Sequence, residues 1–281
     1  MNDDPNAPKV AELAGEAAVG AYSAINGDGE GAKFDQSIFP IIRSDDQGRF
    51  HLLGTGFYIT TNGLFVTARH VLMDPLDSKE KQKYPIGILQ FMPDNTYCVR
   101  PILRFARHGT ADLALGVAAP MSHKKDGTPL TTRILTLTTN APEPPARVVT
   151  YAYPKHQSVI VDGAQTIHFK PTFYDGNIVT FFPNGRDRTM LPGPCYQTTM
   201  IVHGGASGGP VFAKSGSVFG VNSTGFDDTD ISFVSRIDEI FDLVIDGIVM
   251  TPGTAPRVVS VKEIAQAAHI IVKPPFADVI A

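Results

Sequence analysis

Short apolar segments separated by turn residues fill most of the chain, and no other feature of the sequence constrains its fold as strongly. From Phe34 onward, runs such as "FHLLGTGFYIT", "GLFVTA" and "IGILQFM" alternate with Gly, Pro, Asn and Asp. This pattern is typical of β-strands joined by turns. A proline-rich stretch at 140–147, "NAPEPPAR", divides roughly a dozen such segments into two similar groups. The sequence therefore predicts an all-β fold built from two antiparallel six-stranded β-barrels.

The two barrels define the expected domain organisation. We expect an N-terminal tail or helix and linker at 1–33, the first barrel at 34–139, the second barrel at 140–235, and a C-terminal helix and tail at 236–281. The alanine-rich stretch at 9–25 favours a short N-terminal helix.

Two patterns near the C-terminus predict helices that pack on the second barrel. One apolar stripe repeats at the spacing of a helix face and consists of Ile237, Ile240, Phe241, Val244 and Ile245. Ser235 with Asp238 forms a plausible N-cap pair for this helix, and Gly247 is a plausible end. Further on, "SVKE" at 260–263 is a capping box that predicts one more short helix.

Composition limits the kinds of partner. Hydrophobic residues make up 43% of the chain and charged residues 19%, as in ordinary folded proteins. The net charge is −4 and no block of Lys and Arg stands out, so nucleic acid is not expected as a partner. No apolar run is long enough to span a membrane, and the N-terminus lacks the features of a signal peptide. We therefore expect a cytoplasmic protein, unless an export signal is missing from this chain.

The two cysteines, Cys98 and Cys195, do not have the spacing of metal ligands. In the cytoplasm they would stay reduced, and the sequence leaves open whether they pair. No metal or organic cofactor is expected.

A glycine-rich segment, "HGGASGGP" at 203–210, surrounds one hydroxyl, that of Ser207. Glycine inside a regular element costs roughly 0.5–1 kcal/mol relative to alanine, so a cluster of four indicates a backbone shape that other residues do not adopt. The segment is either a tight turn between strands or a loop that presents a nucleophile. In the second case Ser207 needs a base to take its proton and an acid to orient that base.

His70 and Asp112 are the best candidates for the base and the acid. His70 stands in "GLFVTARHVL", where a strand ends and a helical turn begins. Asp112 begins the apolar run of "TADLAL", and carboxylates are rarely buried unless they are paired. Other histidines, such as His51, His156 and His168, stand in strand-like runs where a surface or core role suffices. Asp74 and Asp126, both in hydrophilic, turn-like settings, are the alternatives for the acid.

Three motifs in this order, "VTARHVL", "ADLAL" and "GGASGGPVF", resemble the His, Asp and Ser motifs of the chymotrypsin-like (trypsin-fold) serine peptidases. Downstream, "VFGVNSTGFDD" and "ISFVSRIDEI" resemble the bacterial HtrA-like branch of that family. The resemblance extends over about 34–248. Only 33 residues follow it (281 − 248), so the PDZ domain of HtrA peptidases is not expected here.

The resemblance implies a serine endopeptidase with protein or peptide substrates. Ser207 would attack the peptide carbonyl, His70 would act as base and then acid, and Asp112 would orient the imidazole. The amides of Gly205 and Ser207 would form the oxyanion hole. In zymogen-activated relatives an aspartate precedes the serine, whereas this chain has Ala206, so activation by cleavage is not expected.

The resemblance also implies a substrate site. Ile201, six residues before the serine, would lie at the base of the S1 pocket, which predicts a small or apolar residue before the scissile bond. His203 would touch the substrate or border the site. The main chain of Asn222, Ser223 and Thr224 would pair with an extended substrate.

Two further functions stay open at this point. The chain could be a catalytically silent module that binds peptides on a peptidase fold. It could also be a module activated by a regulatory partner that docks on its N- or C-terminal segment.

Overall fold

The computed structural model describes residues 9–11, 34–73, 85–92, 97–122, 126–161, 164–226 and 229–275. Two short elements come first, β1 (Lys9–Ala11) and the helix α1 (Phe34–Ser37). Residues 12–25 of the predicted N-terminal helix lie outside the described residues, and 9–11 form a strand instead.

The first barrel is closed and antiparallel. Its six strands are β2 (Ile38–Ser44), β3 (Phe50–Tyr58), β4 (Leu64–Thr67), β5 (Ile86–Phe91), β6 (Tyr97–Arg107) and β7 (Ala114–Ala118), in the order β2-β3-β4-β7-β6-β5. The helix α2 (Arg69–Met73) follows β4 directly. A two-stranded ribbon, β8 (Met121–Ser122) and β9 (Pro129–Leu130), follows β7.

The second barrel is also closed, which confirms the predicted pair of six-stranded barrels. Its strands are β10 (Arg147–Val161), β11 (Ala164–Phe182), β12 (Cys195–Thr198), β13 (Pro210–Phe212), β14 (Val218–Gly225) and β15 (Ser232–Arg236). They run in the order β11-β10-β13-β14-β15-β12, and β12 pairs back with β11. The short strand β1 extends this sheet by parallel pairing with β11.

The prediction of a helix directly after the second barrel is wrong. Ile237–Ile240 form only a 3₁₀ turn, and Val244–Ile248 form a strand, β16, which pairs with β17 (Arg257–Ser260). Ser235 lies inside β15 and caps nothing; the N-cap position belongs to Arg236, which makes no side-chain cap bond. The β-branched pair Val244 and Ile245 alternates between exposed and buried, as a strand requires. The residues with helical spacing therefore lie partly in a 3₁₀ turn and partly in a strand.

The second predicted helix is confirmed as α3 (Val261–Gln266). Its N-cap, Ser260, accepts a hydrogen bond from the Glu263 amide at 3.1 Å, as the capping box requires. Cys98 and Cys195 both carry free thiols, so the two cysteines do not pair. No helix within the described ranges has the length and hydrophobicity for a bilayer crossing.

One apolar core joins the two barrels. The same buried cluster contains Phe57 and Val66 of the first barrel, Phe212 and Val221 of the second, and Ile264 of α3. Fully burying a side chain of this size contributes about 1.5–3 kcal/mol each, so the shared core holds the facing loops of the barrels in fixed positions.

Candidate active site

His70 and Asp112 meet at the edge of the first barrel. His70 stands on α2, whose buried residues Val71 and Leu72 anchor the turn. Its Nδ1 atom lies 2.8 Å from Oδ2 of Asp112, and its backbone amide donates to Oδ1 at 3.1 Å. Two contacts to one carboxylate fix both the position and the orientation of the imidazole.

Asp112 is nearly inaccessible, with 7% of its surface exposed. Burial alone would raise its pKa, but hydrogen bonds from His70 and from the Ser223 hydroxyl favour the charged form. The Ser223 Oγ donates to Oδ2 of Asp112 at 2.5 Å. The net effect lowers the pKa of Asp112 below its ordinary value, so the carboxylate is ionised at neutral pH.

Ser207 reaches the same cluster from the second barrel. Its Oγ donates a hydrogen bond of 2.9 Å to the Ser223 carbonyl. Ser223 therefore contacts Ser207 through its main chain and Asp112 through its side chain. The structure brings His70, Asp112 and Ser207 together at the junction of the barrels, with Ser223 between the last two.

The glycine-rich loop forms a turn with the geometry of type II. The Ala206 amide donates to the His203 carbonyl at 3.0 Å, and Gly205, at the third position, has φ of +93°. A Cβ on Gly205 would lie 2.7 Å from the Tyr153 carbonyl oxygen. Among the described residues, no acceptor pairs with the Gly205 or Ser207 amide. The loop thus holds two unused N–H groups beside a hydroxyl.

Thr55, which the sequence analysis missed, links this loop to the first barrel. Its amide donates to the Ser207 carbonyl and its hydroxyl to the Gly205 carbonyl, both at 2.8 Å. The same hydroxyl accepts a hydrogen bond from the Tyr153 amide at 3.0 Å. Thr55 is fully buried, so these bonds have no competition from water.

The sequence carried a signal for this contact. Thr55 stands between two glycines in a strand, and glycine within a strand often marks the close approach of another backbone. A Cβ on Gly54 would lie 2.8 Å from the Ser207 carbonyl oxygen, so only glycine allows β3 to approach the loop this closely.

The predicted substrate residues have different surroundings. Asn222 and Ser223 are buried, and Thr224 is half-buried. The Asn222 main chain bonds within the protein, to the Gly208 and Gly209 backbone. Its side-chain amide donates to the Thr150 hydroxyl at 2.7 Å. Asn222 therefore holds the loop in place, which leaves Thr224 as the more accessible residue of the three.

Ile201, Val202 and His203, at the start of the loop, also differ in their surroundings. Ile201 is 48% exposed, whereas the Cγ2 of Val202 lies 3.1 Å from the point where a Gly225 side chain would begin. His203 accepts or donates a 3.1 Å hydrogen bond between its Nδ1 and the Tyr174 hydroxyl. Burial raises the pKa of Tyr174 to about 12, so this phenol stays protonated. His203 is thus attached to β11 at the border of the site.

Of the two alternative acids, the structure describes only Asp126. Asp126 caps an exposed turn by accepting from the Thr128 amide, and Asp74 lies outside the described residues. Within those residues, no three His, Cys, Asp or Glu side chains are grouped as metal ligands.

A double β-barrel with a histidine, an aspartate and a serine meeting between the barrels defines the class of chymotrypsin-fold proteins. Residues 54–221 match the family described as "Trypsin-like peptidase domain". The chain belongs to this family, whose peptidase domain implies protein or peptide substrates.

Several solved structures are similar. Deg5 is 19% identical, with a TM-score of 0.49, over 73% of this chain and 86% of its own. The Rv3671c protease from M. tuberculosis, in its active form, is 18% identical, with a TM-score of 0.46, over 73% of this chain and 78% of its own. An HtrA-type protease, AlgW, with a tripeptide is 15% identical, with a TM-score of 0.49, over 78% and 67%. No curated protein sequence matches the chain significantly.

Proposed function

We propose that this protein is a serine endopeptidase that uses His70, Asp112 and Ser207. The observation that carries the proposal is the chain of contacts from His70 through Asp112 and Ser223 to Ser207. An ionised, buried carboxylate on Nδ1 selects the imidazole tautomer whose Nε2 can accept a proton.

The reaction proceeds in two halves. Rotation of the Ser207 side chain brings its hydroxyl to Nε2 of His70, which takes the proton as Oγ attacks the peptide carbonyl. The Gly205 and Ser207 amides donate to the developing oxyanion. His70 then protonates the leaving amine as the C–N bond breaks, and an acyl-enzyme remains. Water, deprotonated by His70, attacks the ester and releases the acid and Ser207.

We further propose that the residue before the scissile bond is small or apolar. Ile201, the residue predicted to lie at the base of the S1 pocket, supplies no charge for a basic substrate, and its neighbour Val202 is also apolar.

A partner-activated module is the second candidate, and one observation favours it. In this structure the Ser207 hydroxyl bonds to the Ser223 carbonyl. In this second candidate the hydroxyl leaves Ser223 only when a partner shifts β14, whereas in the first candidate side-chain rotation alone releases it.

Labelling with a fluorophosphonate probe tests the proposal. The wild-type protein is expected to be labelled and Ser207→Ala to remain unlabelled. Ser215→Ala, which removes an exposed hydroxyl from the next turn, is the matched control and should label like the wild type. Labelling that survives in Ser207→Ala contradicts the assignment of the nucleophile. Labelling of the wild type that requires added cell extract supports the partner-activated module. If the wild type is not labelled with or without extract, the proposed hydrolase is contradicted and peptide binding is the function that is left.

Thr55→Val tests the link between the barrels. The change leaves the Gly205 carbonyl and the Tyr153 amide without a buried partner, which lowers the free energy of unfolding by about 1–3 kcal/mol. Because the oxyanion turn loses its support, kcat should fall while KM changes little. Thr55→Ser keeps the hydroxyl and should restore kcat.

The control for this variant is Thr132→Val. Thr132, which follows β9, is also buried and donates its hydroxyl to the Thr60 carbonyl, away from the loop. It should lose stability in urea unfolding but keep its kcat. An equal loss of kcat in both valine variants would mean that Thr55 acts through general stability alone.

A further inference from the structure

His108 closes the turn that carries Asp112. The residue follows β6, and its Nδ1 accepts hydrogen bonds from the Ala111 amide at 2.8 Å and from the Thr110 amide at 3.3 Å. Its own amide donates to the Leu113 carbonyl at 2.9 Å. The turn from 108 to 113 is therefore folded around this imidazole, with Asp112 between two of the anchored residues.

The hydrogen-bond partners of the ring define the tautomer of the neutral imidazole. Both backbone groups at Nδ1 are donors, so Nδ1 carries a lone pair and the proton of the neutral ring is on Nε2. Nε2 lies 3.7 Å from Oε2 of Glu239, on the 3₁₀ turn behind the second barrel. The ring is 19% exposed, so water competes only weakly for these contacts.

We propose that His108 is a positioning residue, whose neutral imidazole holds Asp112 against His70 and whose protonation loosens that turn. The catalytic consequence rests on the proposed peptidase function. A proton on Nδ1 would face two N–H groups and remove both hydrogen bonds. The carboxylate would then lose its fixed place beside the His70 ring.

Three charged groups lie on or beside the turn that His108 closes. Glu239 faces Nε2, Asp112 lies in the same turn, and Arg69 of α2 donates to the Gly109 carbonyl at 3.2 Å. Burial raises the pKa of Glu239, and the charges of Asp238 and Asp242 raise it further. The charges of His108 and Arg236 oppose this effect without cancelling it. As the pH falls, Glu239 loses its charge earlier than an ordinary glutamate, so it gives a protonated His108 less support.

The pH profile of kcat/KM distinguishes this role. Protonation of either His70 or His108 would impair catalysis, so the acid limb of log kcat/KM should be steeper in the wild type than in a variant whose residue 108 does not titrate. In His108→Asn the side-chain oxygen can accept from the same amides and does not titrate. This variant should keep most of the activity at neutral pH, with a shallower acid limb than the wild type.

His108→Ala removes the acceptor altogether. Misplacement of a catalytic group typically costs on the order of 10²-fold, so we expect kcat/KM to fall about 10- to 100-fold at pH 7.5, with KM nearly unchanged. His51→Ala is the matched control, because that ring also contacts a carboxylate, Asp45, but on another hairpin. Equal pH profiles in the wild type, His108→Asn and His108→Ala would overturn the proposal.

An NMR measurement separates this proposal from the peptidase assignment. The proton shared by His70 Nδ1 and Asp112 should give a strongly downfield signal in the wild type and in His108→Asn, and a weakened signal in His108→Ala. If the wild type is not labelled by the fluorophosphonate and cleaves no peptide, the proposed peptidase function is contradicted. The positioning role of His108 is then tested by this NMR signal alone. A signal that is unchanged in His108→Ala would overturn the positioning role whether or not the protein hydrolyses peptides.

Discussion

Asp112→Asn is expected to lower kcat of a peptide substrate by about 10⁴-fold while the two barrels stay folded. Asp112 accepts three hydrogen bonds, from the His70 amide at Oδ1 and from His70 Nδ1 and the Ser223 hydroxyl at Oδ2. Asparagine has one acceptor oxygen, so its NH₂ group must face a donor on one side. The arrangement that suits the backbone amide turns NH₂ toward Nδ1. The imidazole then carries its proton on Nε2 and can no longer accept one from Ser207.

Asp126→Asn is the control for this variant, because Asp126 is the other carboxylate considered from the sequence. It caps an exposed turn, and its amide replacement should leave kcat unchanged. The measurement is the rate of peptide hydrolysis, with fluorophosphonate labelling as a second readout. If both variants lose activity equally, Asp112 is not the orienting acid.

The pH dependence of stability gives an independent check on Asp112. Its pKa is lower in the folded protein than in the unfolded chain, where an aspartate titrates near about 3.9. The ionised carboxylate therefore stabilises the fold above that value, and this stabilisation is lost as the pH falls through the folded pKa. Urea unfolding should show the wild type more stable than Asp112→Asn at pH 7, with a smaller difference below about pH 4. A constant difference would contradict the charged state inferred for this group.

How far the sequence predicted the molecule depends on whether a contact is local. The alternation of apolar segments and turn residues indicates where strands begin and end, so both barrels could be predicted from it. His70, Asp112 and Ser207 stand in short motifs, and the structure brings the three together. Their catalytic roles stay predictions.

Contacts between segments that are distant along the chain could not be predicted from the sequence. The Thr55 hydroxyl bonds to a carbonyl 150 residues away, and the Ser223 hydroxyl bonds to Asp112 across 111 residues. Ser223 was predicted to bind substrate through its main chain, whereas its contacts here are to Asp112 and Ser207. His108 stands only four residues before Asp112, but its role depends on the turn geometry, which no residue spacing reveals.

The prediction of a helix directly after the second barrel failed for a different reason. An apolar spacing of three and four residues fits a helix face, and it also fits a turn followed by a strand when the residues are β-branched. Val244 and Ile245 pair with β17, and that pairing provides hydrogen bonds that an isolated amphipathic helix would have to make within itself. Tertiary pairing thus outweighed local periodicity.

Gly205→Ala is expected to abolish most of the activity through the oxyanion hole. At φ of +93° an alanine is strained by about 1–3 kcal/mol. Its Cβ would lie 2.7 Å from the Tyr153 carbonyl oxygen and 3.0 Å from Cδ2 of Leu52. The turn relieves this strain by rotating the peptide before residue 205, which withdraws the amide from the oxyanion. Loss of one such donor lowers kcat by about 10²–10³-fold, with a smaller change in KM.

Gly204→Ala is a matched control within the same turn. Gly204 has no positive φ. Apart from its chain neighbours, no described residue has a heavy atom within 4 Å of the place where its Cβ would be. The two variants add the same methyl group one residue apart, so differences in hydrophobicity and chain entropy cancel. Gly204→Ala should keep the wild-type kcat and the wild-type rate of fluorophosphonate labelling. If Gly205→Ala retains both as well, the oxyanion hole is not built from this amide, because the strain at residue 205 cannot be relieved while its N–H keeps its present direction.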